Sequence, residues 1–538
     1  MNDTVQRHGQ ADCDAVVVGA GFAGLYMLYR LRQLGMTARA FEAGSGVGGT
    51  WYWNRYPGAR CDVESLQYSY SFSEALQQDW EWTERYPAQA EILRYIEHAA
   101  ERFDLKRDIQ FETRVTTAAF DEAEKLWRVE TDQGDRVTAR FCIMATGALS
   151  AAKKPEMAGL EEFQGRWYHT GSWPHQPVDF TGQRVAVIGT GSSGIQTIPV
   201  VARQAAHLTV FQRTPNFSIP AWNEPLTPEK QAAWKANYAE HRARARGTRS
   251  GILYEYSQRG TFDVEEAERQ AEYVRRWGRG GANYTHAFND IFVKPEANDA
   301  AADYVRGRIR TIVQDPEVAE ALVPKDHPIG TKRICVDTDY YDSFNRDNVT
   351  LVDVRQTPIE SVTPEGLRTT ARDYAVDSII FATGYDAVTG ALDRIDIRGR
   401  GGEALRDKWH GGPKTYLGIM MAGFPNLFII TGPGSPSVLT NVVVAIEQHV
   451  GFVADCLAHL QAHGIATIEA EPEAEENWVA HVNEVADRTL FPVANSWYMG
   501  ANVPGKPRVF LPYVGGFGNY TRICEEVARD GYRGFRMG

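Results

Sequence analysis

Cysteine is scarce here, and what there is stands alone. The 538 residues include six cysteines, Cys13, Cys61, Cys142, Cys335, Cys456 and Cys524, with no C-x-x-C pair among them. Such spacing offers neither a zinc cage nor a redox disulfide, so a disulfide reductase lacks its working pair and buried single thiols are expected. Long hydrophobic runs are missing too. Val442 to Ile446 and Leu427 to Ile430 fall far short of the roughly 20 apolar residues that a spanning helix needs, so no membrane anchor is expected. The stretch Met1 to Asp14 has no basic leading region, and no signal peptide is expected. Positive charge is in deficit, 57 Lys and Arg against 69 Asp and Glu, and the net charge of -12 argues against nucleic acid or anionic lipid as a partner. Neither a G-x-S-x-G elbow nor an H-E-x-x-H helix occurs, so hydrolase chemistry has no candidate and no metal site is expected. What remains is a cytoplasmic-type globular chain with room for about three domains at roughly 100 to 200 residues each.

Glycine, by contrast, is placed with purpose. Ala15 to Val18 is a short apolar strand, followed by the G-x-G-x-x-G turn Gly19, Gly21 and Gly24 and then by a helix with Leu25, Leu28, Leu31 and Leu34 at apolar spacing, ended by Gly35. In such a turn the first glycine bends the chain tightly, the second lets backbone approach a pyrophosphate and the third lets helix and strand pack closely. Phe22 and Ala23 complete the turn, and a second strand, Thr37 to Phe41, delivers Glu42, whose carboxylate suits a ribose hydroxyl. The pattern recurs. Arg184 to Ile188 runs into Gly189, Thr190, Gly191, Ser192, Ser193 and Gly194, then a helix carrying Gln196, then the strand Leu208 to Phe211.

The two copies differ where the second strand ends. Counted from the first glycine, the position of Glu42 is taken by Gln212, followed by Arg213 and Thr214. Loss of the carboxylate removes repulsion of a 2′-phosphate, and the guanidinium next to it can bind one. The first site therefore suits FAD and the second NADPH, and two dinucleotides in one chain imply hydride transfer between them.

The expected fold is α/β: two Rossmann-like dinucleotide-binding domains with a mainly helical insertion in the NADPH domain. Residues 1-148 are read as the first part of the FAD domain and 149-222 as the first part of the NADPH domain. Residues 223-330 are the insertion, rich in Ala, Glu and Arg, with Val305, Ile309 and Ile312 at helical spacing and helix starts at Pro228 and Asp315-Pro316-Glu317. Its aromatic residues, Trp234, Tyr238, Tyr254, Tyr256 and Trp277, are expected to pack onto the host domain, with a substrate cavity as the alternative. Residues 331-386 close the NADPH domain and 387-538 rejoin the FAD domain. Phe141 to Gly147 and Asp377 to Gly384 both end in Ala-Thr-Gly, so each nucleotide domain is expected to close with the same small-residue device.

Between the two turns, Phe163, Gly165, His169, Trp173 and Pro174 match F-x-G-x-x-x-H-x-x-x-W-P in full, and Gly49-Thr50-Trp51 through Asp62 forms a second pattern. In these segments, and along nearly its whole length, the chain resembles the Baeyer-Villiger monooxygenases, among them those acting on phenylacetone, steroids and cyclohexanone. The resemblance implies FAD, NADPH, O2 and a ketone, with a C4a-peroxyflavin attacking the carbonyl to give an ester or lactone, and sulfoxidation as a side activity. It also implies roles. Arg333 in Gly330-Thr-Lys-Arg-Ile334 is the cation stabilising the peroxyflavin, Asp62 orients it, and Gly49, Thr50 and Trp51 belong to the FAD site. Lys332 joins Arg213 on the 2′-phosphate, and Trp497 lies near the nicotinamide.

His169 is expected to couple domain motion and cofactor contacts, or to be structural, and not to abstract a proton. Ala148, Leu149, Val438, Leu439 and Thr440 are expected to wall the substrate pocket. A monomer or weak oligomer needing no protein partner is expected. Flavin monooxygenases that oxygenate nitrogen or sulfur share the glycine turns and differ at Trp173-Pro174, and a non-catalytic flavin redox sensor is the alternative from another class. Which ketone is used stays open.

Overall fold

The computed structural model describes residues 11–538, so the reading of Met1 to Asp14 falls mostly outside the described residues. The chain folds as mixed α/β around two sheets. In the larger one the strand Cys13–Val18 lies between Ala38–Phe41 and Arg136–Met144, all parallel, with Val17 facing Ala40 and Ile143. A parallel strand covered on both faces is apolar throughout, which is why Ala15 to Val18 shows no alternation. The sheet continues through Leu126–Thr131 and Val115–Asp121 to Asp396–Arg398, and on the other side to Ile109–Gln110. Leu427–Ile429 adds to Arg136–Met144, so two strands from the C-terminal part complete the sheet of the first glycine turn.

The second sheet has five parallel strands in the order Val349–Asp353, His207–Gln212, Arg184–Ile188, Ser378–Phe381 and Arg166–His169. Its edge strand is the middle of the F-x-G-x-x-x-H segment. Packing explains that pattern: a Cβ at residue 165 would stand 2.4 Å from the Asp377 carbonyl oxygen and 2.5 Å from the Phe163 ring. Trp173 then stacks on Tyr168 with ring centroids 5.1 Å apart, folding the segment back on its own strand.

Residues 223–330 hold the helices Pro228–Lys235, Tyr238–Arg246, Glu266–Arg279, Pro295–Ile312 and Pro316–Leu322. Both expected starts are capped as the sequence suggests. Thr227 accepts from Lys230 N, and Asp315 accepts from Glu317 N and Val318 N, each with proline in the first turn. Val305, Ile309, Tyr273 and Trp277 share one apolar cluster with Ile195 and Ile198 of the helix that follows the second glycine turn. The helix Val442–His463 is the one described helix long and apolar enough to cross a membrane; 61% of its most apolar window is buried in the molecule, and it packs against Phe22–Gln33.

Candidate functional site

The two glycine turns are superimposable in their logic. The helices Phe22–Gln33 and Ser192–Gln204 begin after Gly21 and Gly191, and neither is capped by a side chain. A Cβ at Gly24 would lie 1.8 Å from the Gly19 carbonyl oxygen, and one at Gly194 would lie 2.1 Å from that of Gly189. The Ala-Thr-Gly ends cross above: the Ala145 and Ala382 carbonyl oxygens come within 2.6 and 2.5 Å of where Gly19 and Gly189 would carry Cβ atoms. Uncapped first-turn N–H groups suit a pyrophosphate; at Gly191 nothing lies within 4 Å of a built Cβ, and at Gly21 the neighbour is the backbone of Gly49. The chain thus fits a dinucleotide at each turn.

Glu42 does more than end its strand. Buried, it accepts hydrogen bonds from Ala20 N and Gly44 N, both at 2.8 Å, and so braces the turn from within. Burial pushes its pKa up while those two N–H groups pull it back. Phe22 and Ala23 are buried helix residues that offer the cofactor only backbone, and the Phe22 ring packs edge-on against Tyr68 and Tyr70. Gly49, at φ +53, faces Gly21 across 3.0 Å of would-be Cβ contact, with Thr50 exposed beside it and Trp51 donating to the Tyr68 hydroxyl at 3.2 Å.

At the second turn Gln212 is fully buried and donates to the Ala321 carbonyl at 2.7 Å, whereas Arg213 points outward and makes no ion pair among the described residues. Lys332 stands close enough to feel it: burial lowers the lysine's pKa, Asp326 opposes, and the Arg213 charge lowers it further. Two neighbouring cations with no ion pair of Arg213 between them suit an anion such as a phosphate. Thr190 donates to the Thr214 carbonyl at 3.1 Å, and Ser192 is exposed with its hydroxyl 3.4 Å from Cys335 Sγ. Ser193 lies beside the Tyr56 hydroxyl and offsets part of the rise in its pKa that burial causes.

Gln196 is tied to the neighbouring loop. Its Oε1 accepts from Tyr56 at 2.8 Å and its Nε2 donates to the Arg60 carbonyl at 3.0 Å, so both polar atoms bind the loop between Gly49 and Asp62. His169 is 3% exposed, its Nδ1 accepting from Gly171 N and its Nε2 meeting Thr383 Oγ1. Burial pushes its pKa down to about 4, so it is neutral at ordinary pH.

Arg333 and Asp62 meet in the cavity where the two halves of the chain and the insertion converge. Arg333 Nε donates to Asp62 Oδ2 at 2.9 Å, Nη2 to Oδ1 at 2.8 Å, and Nη1 to the Val438 carbonyl. Burial alone would lower the pKa of Arg333, but Asp62, then Tyr498 and Tyr254, carry it above the ordinary arginine value. Val438, Leu439 and Thr440 line this cavity; Ala148 and Leu149 do not. Val388 N donates to the Ala148 carbonyl, and Leu149 joins Trp497, Val388 and Leu511 in a separate small cluster. The neighbour of Trp497, Tyr498, is the one that faces Arg333. The insertion contributes Arg249, Tyr254 and His286 to the same walls: Tyr254 is one of the insertion aromatics for which a cavity was the alternative, and no local pattern marked Arg249 or His286.

Residues 16–243 match a family model described as pyridine nucleotide-disulphide oxidoreductase. All six cysteines are free and buried, so the nucleotide fold of that family is present here without a disulfide. A Baeyer-Villiger monooxygenase of Pseudooceanicola batsensis is 43% identical over 526 residues, covering 97% of this chain and 96% of that protein. Among solved structures, an oxidised steroid monooxygenase bound to NADP is 54% identical with a TM-score of 0.94, covering 98% of this chain and 99% of that one. The OTEMO complex with FAD and NADP is 42% identical with a TM-score of 0.95, covering 98% of this chain and 100% of that one.

Proposed function

Given that the chain belongs to the Baeyer-Villiger monooxygenases, we propose that Arg333, held by Asp62, is the cation on which its oxygen transfer depends. The protein is an FAD- and NADPH-dependent monooxygenase of ketones. Bound flavin, reduced by NADPH, supplies the oxygen chemistry, one atom of O2 entering the ester or lactone and the other leaving as water.

The residues carry the rest. Arg333 cannot lose its proton at working pH, whereas a desolvated lysine could. Asp62 takes Nε and Nη2 and the Val438 carbonyl takes one N–H of Nη1, with Tyr498 beside the guanidinium, so its remaining donor capacity is aimed into the cavity where an oxyanion would develop. The fixed bidentate geometry means that this donor needs no reorganisation during the reaction. Arg213 with Lys332 takes the 2′-phosphate of NADPH, Gly189 to Gly194 its pyrophosphate, and Gly19 to Gly24 with Glu42 the FAD. Trp497 stays assigned to the nicotinamide side, behind Tyr498, and Val438, Leu439 and Thr440 to the substrate wall.

The division into 1-148, 149-222, 223-330, 331-386 and 387-538 is supported by the strand composition of the two sheets. A cytoplasmic monomer or weak oligomer is our reading, supported by the acidic charge and by the buried placement of the long apolar helix. The single observation carrying the catalytic assignment is the Asp62–Arg333 pair inside a cavity walled by three parts of the chain. Purified protein with NADPH, O2 and ketones of graded size should yield esters. Sulfoxide formed readily with no ester from any ketone would overturn the proposal in favour of heteroatom oxygenation.

A further inference from the structure

The charges around the Arg333 cavity do not cancel. Asp62 and Arg333 neutralise each other. Tyr254, Tyr498 and Tyr513 are held protonated, and burial pushes the His286 pKa down to about 3, so that imidazole is neutral. Arg249 is left over.

Its surroundings offer no counter-charge. The guanidinium lies 5.6 Å from the centre of the Phe292 ring and makes no ion pair among the described residues. Desolvation by these walls lowers its pKa, with only the Tyr256 hydroxyl acting the other way. The backbone beneath is fixed from both sides: the Arg249 carbonyl accepts from Phe517 N at 2.8 Å, and the Ser250 carbonyl accepts from Asn441 N at 2.8 Å, next to the Val438 to Thr440 wall. Gly516 lies beside the side chain, a Cβ there standing in ordinary contact at 3.6 Å from Arg249 Cγ. Arg249 also borders the outer groove formed with Arg488, Thr489 and Asn519, so it stands where the inner cavity opens. An exposed guanidinium at the cavity mouth, with no carboxylate of its own among the described residues, keeps its donors available to an anionic ligand.

We propose that Arg249 is a specificity determinant that takes the anionic end of the substrate, making a ketone with a terminal carboxylate the preferred class. This rests on the reading that the carbonyl reacts at Arg333. Hydrogen bonds to a charged group contribute enough for about a tenfold preference or more.

The test is a set of methyl ketones of graded chain length, each ending in a carboxylate or in its methyl ester, assayed with the FAD-loaded enzyme, NADPH and O2. At the best chain length, wild type should favour the acid over its ester in kcat/KM by about tenfold or more. Arg249→Gln should collapse that ratio and Arg249→Lys should keep most of it, with flavin content checked for each variant. Wild type without acid preference at any length overturns the proposal, with no variant needed. Equal loss for acid and ester in Arg249→Gln also overturns it, because the cation would then serve the cofactor or the reaction and not the substrate tail. If neither acid nor ester is oxygenated while other ketones are, only this proposal fails; if no ketone is oxygenated, the underlying reading fails.

Discussion

Asp62 and Arg333, 271 residues apart in the chain, meet in a two-pronged ion pair with Nη2 at 2.8 Å from Oδ1 and Nε at 2.9 Å from Oδ2. Each comes from a different nucleotide-binding half, so the pair exists only when both halves are docked. Its geometry aims the guanidinium, a duty that a lone arginine in the same cavity would not fulfil.

Removing either partner should separate the two half-reactions. Asp62→Asn is expected to lower ester formation by about a hundredfold or more, the size of effect seen when one oriented donor is lost, while NADPH still reduces the flavin. Arg333→Ala should abolish ester formation with reduction retained. Stopped-flow absorbance of the flavin beside product analysis measures both. Ester formation by Arg333→Ala at the wild-type rate would refute the assignment.

Arg213 and Lys332 should distinguish NADPH from NADH. Arg213→Ala is expected to raise the KM for NADPH by about tenfold or more, the worth of a charge-assisted pair, with a much smaller effect on NADH. Lys332→Ala should act in the same direction. Steady-state kinetics with both cofactors decide it, and equal effects on the two would reject the 2′-phosphate site.

The third glycine of each turn should sort the two cofactors. In Gly24→Ala the added methyl would meet the Gly19 carbonyl, and the expected product is protein without FAD. In Gly194→Ala it would meet Gly189, and the expected product is yellow, FAD-loaded enzyme that NADPH reduces poorly. Flavin absorbance after purification and the anaerobic reduction rate give the answer; the reverse pattern would exchange the two sites.

His169 should appear in stability and not as a titrating base. Its folded pKa of about 4 lies below the ordinary 6.5, so the unfolded chain takes up the proton first as pH falls. Stability is therefore fully present above about 6.5 and is lost progressively down to about 4. Asp337 works the other way, its pKa raised to about 6 by burial, favouring the fold below that value. The difference between wild type and His169→Gln isolates the histidine: the variant should lose less melting temperature between pH 6.5 and 4. Identical slopes would show that His169 is not buried as described.

Much of this was legible from residue order, for a physical reason. A glycine turn must satisfy local backbone geometry, so Gly19 to Gly24 and Gly189 to Gly194 announce themselves, as do Pro228 and Asp315-Pro316-Glu317 at helix starts. The F-x-G-x-x-x-H segment is local in the same sense, with Gly165 required where Asp377 and Phe163 close on it. The end of each second strand, Glu42 in one copy and Gln212-Arg213 in the other, carried the assignment of cofactors.

What residue order could not convey is which side chains meet across the fold. Gln196 was marked because it follows the turn, and nothing local showed that it also bonds Tyr56 and the Arg60 carbonyl. Ala148 and Leu149 were read as pocket wall and pack beside it, while Arg249, Tyr254 and His286 of the insertion line the cavity that holds Arg333. A charged or aromatic residue in an insertion has the same sequence signature whether it faces water, a core or a substrate. Backbone constraints are local and were therefore written in the sequence; the charge and shape of the reaction cavity arise from contacts hundreds of residues apart, and only the tertiary structure decided them.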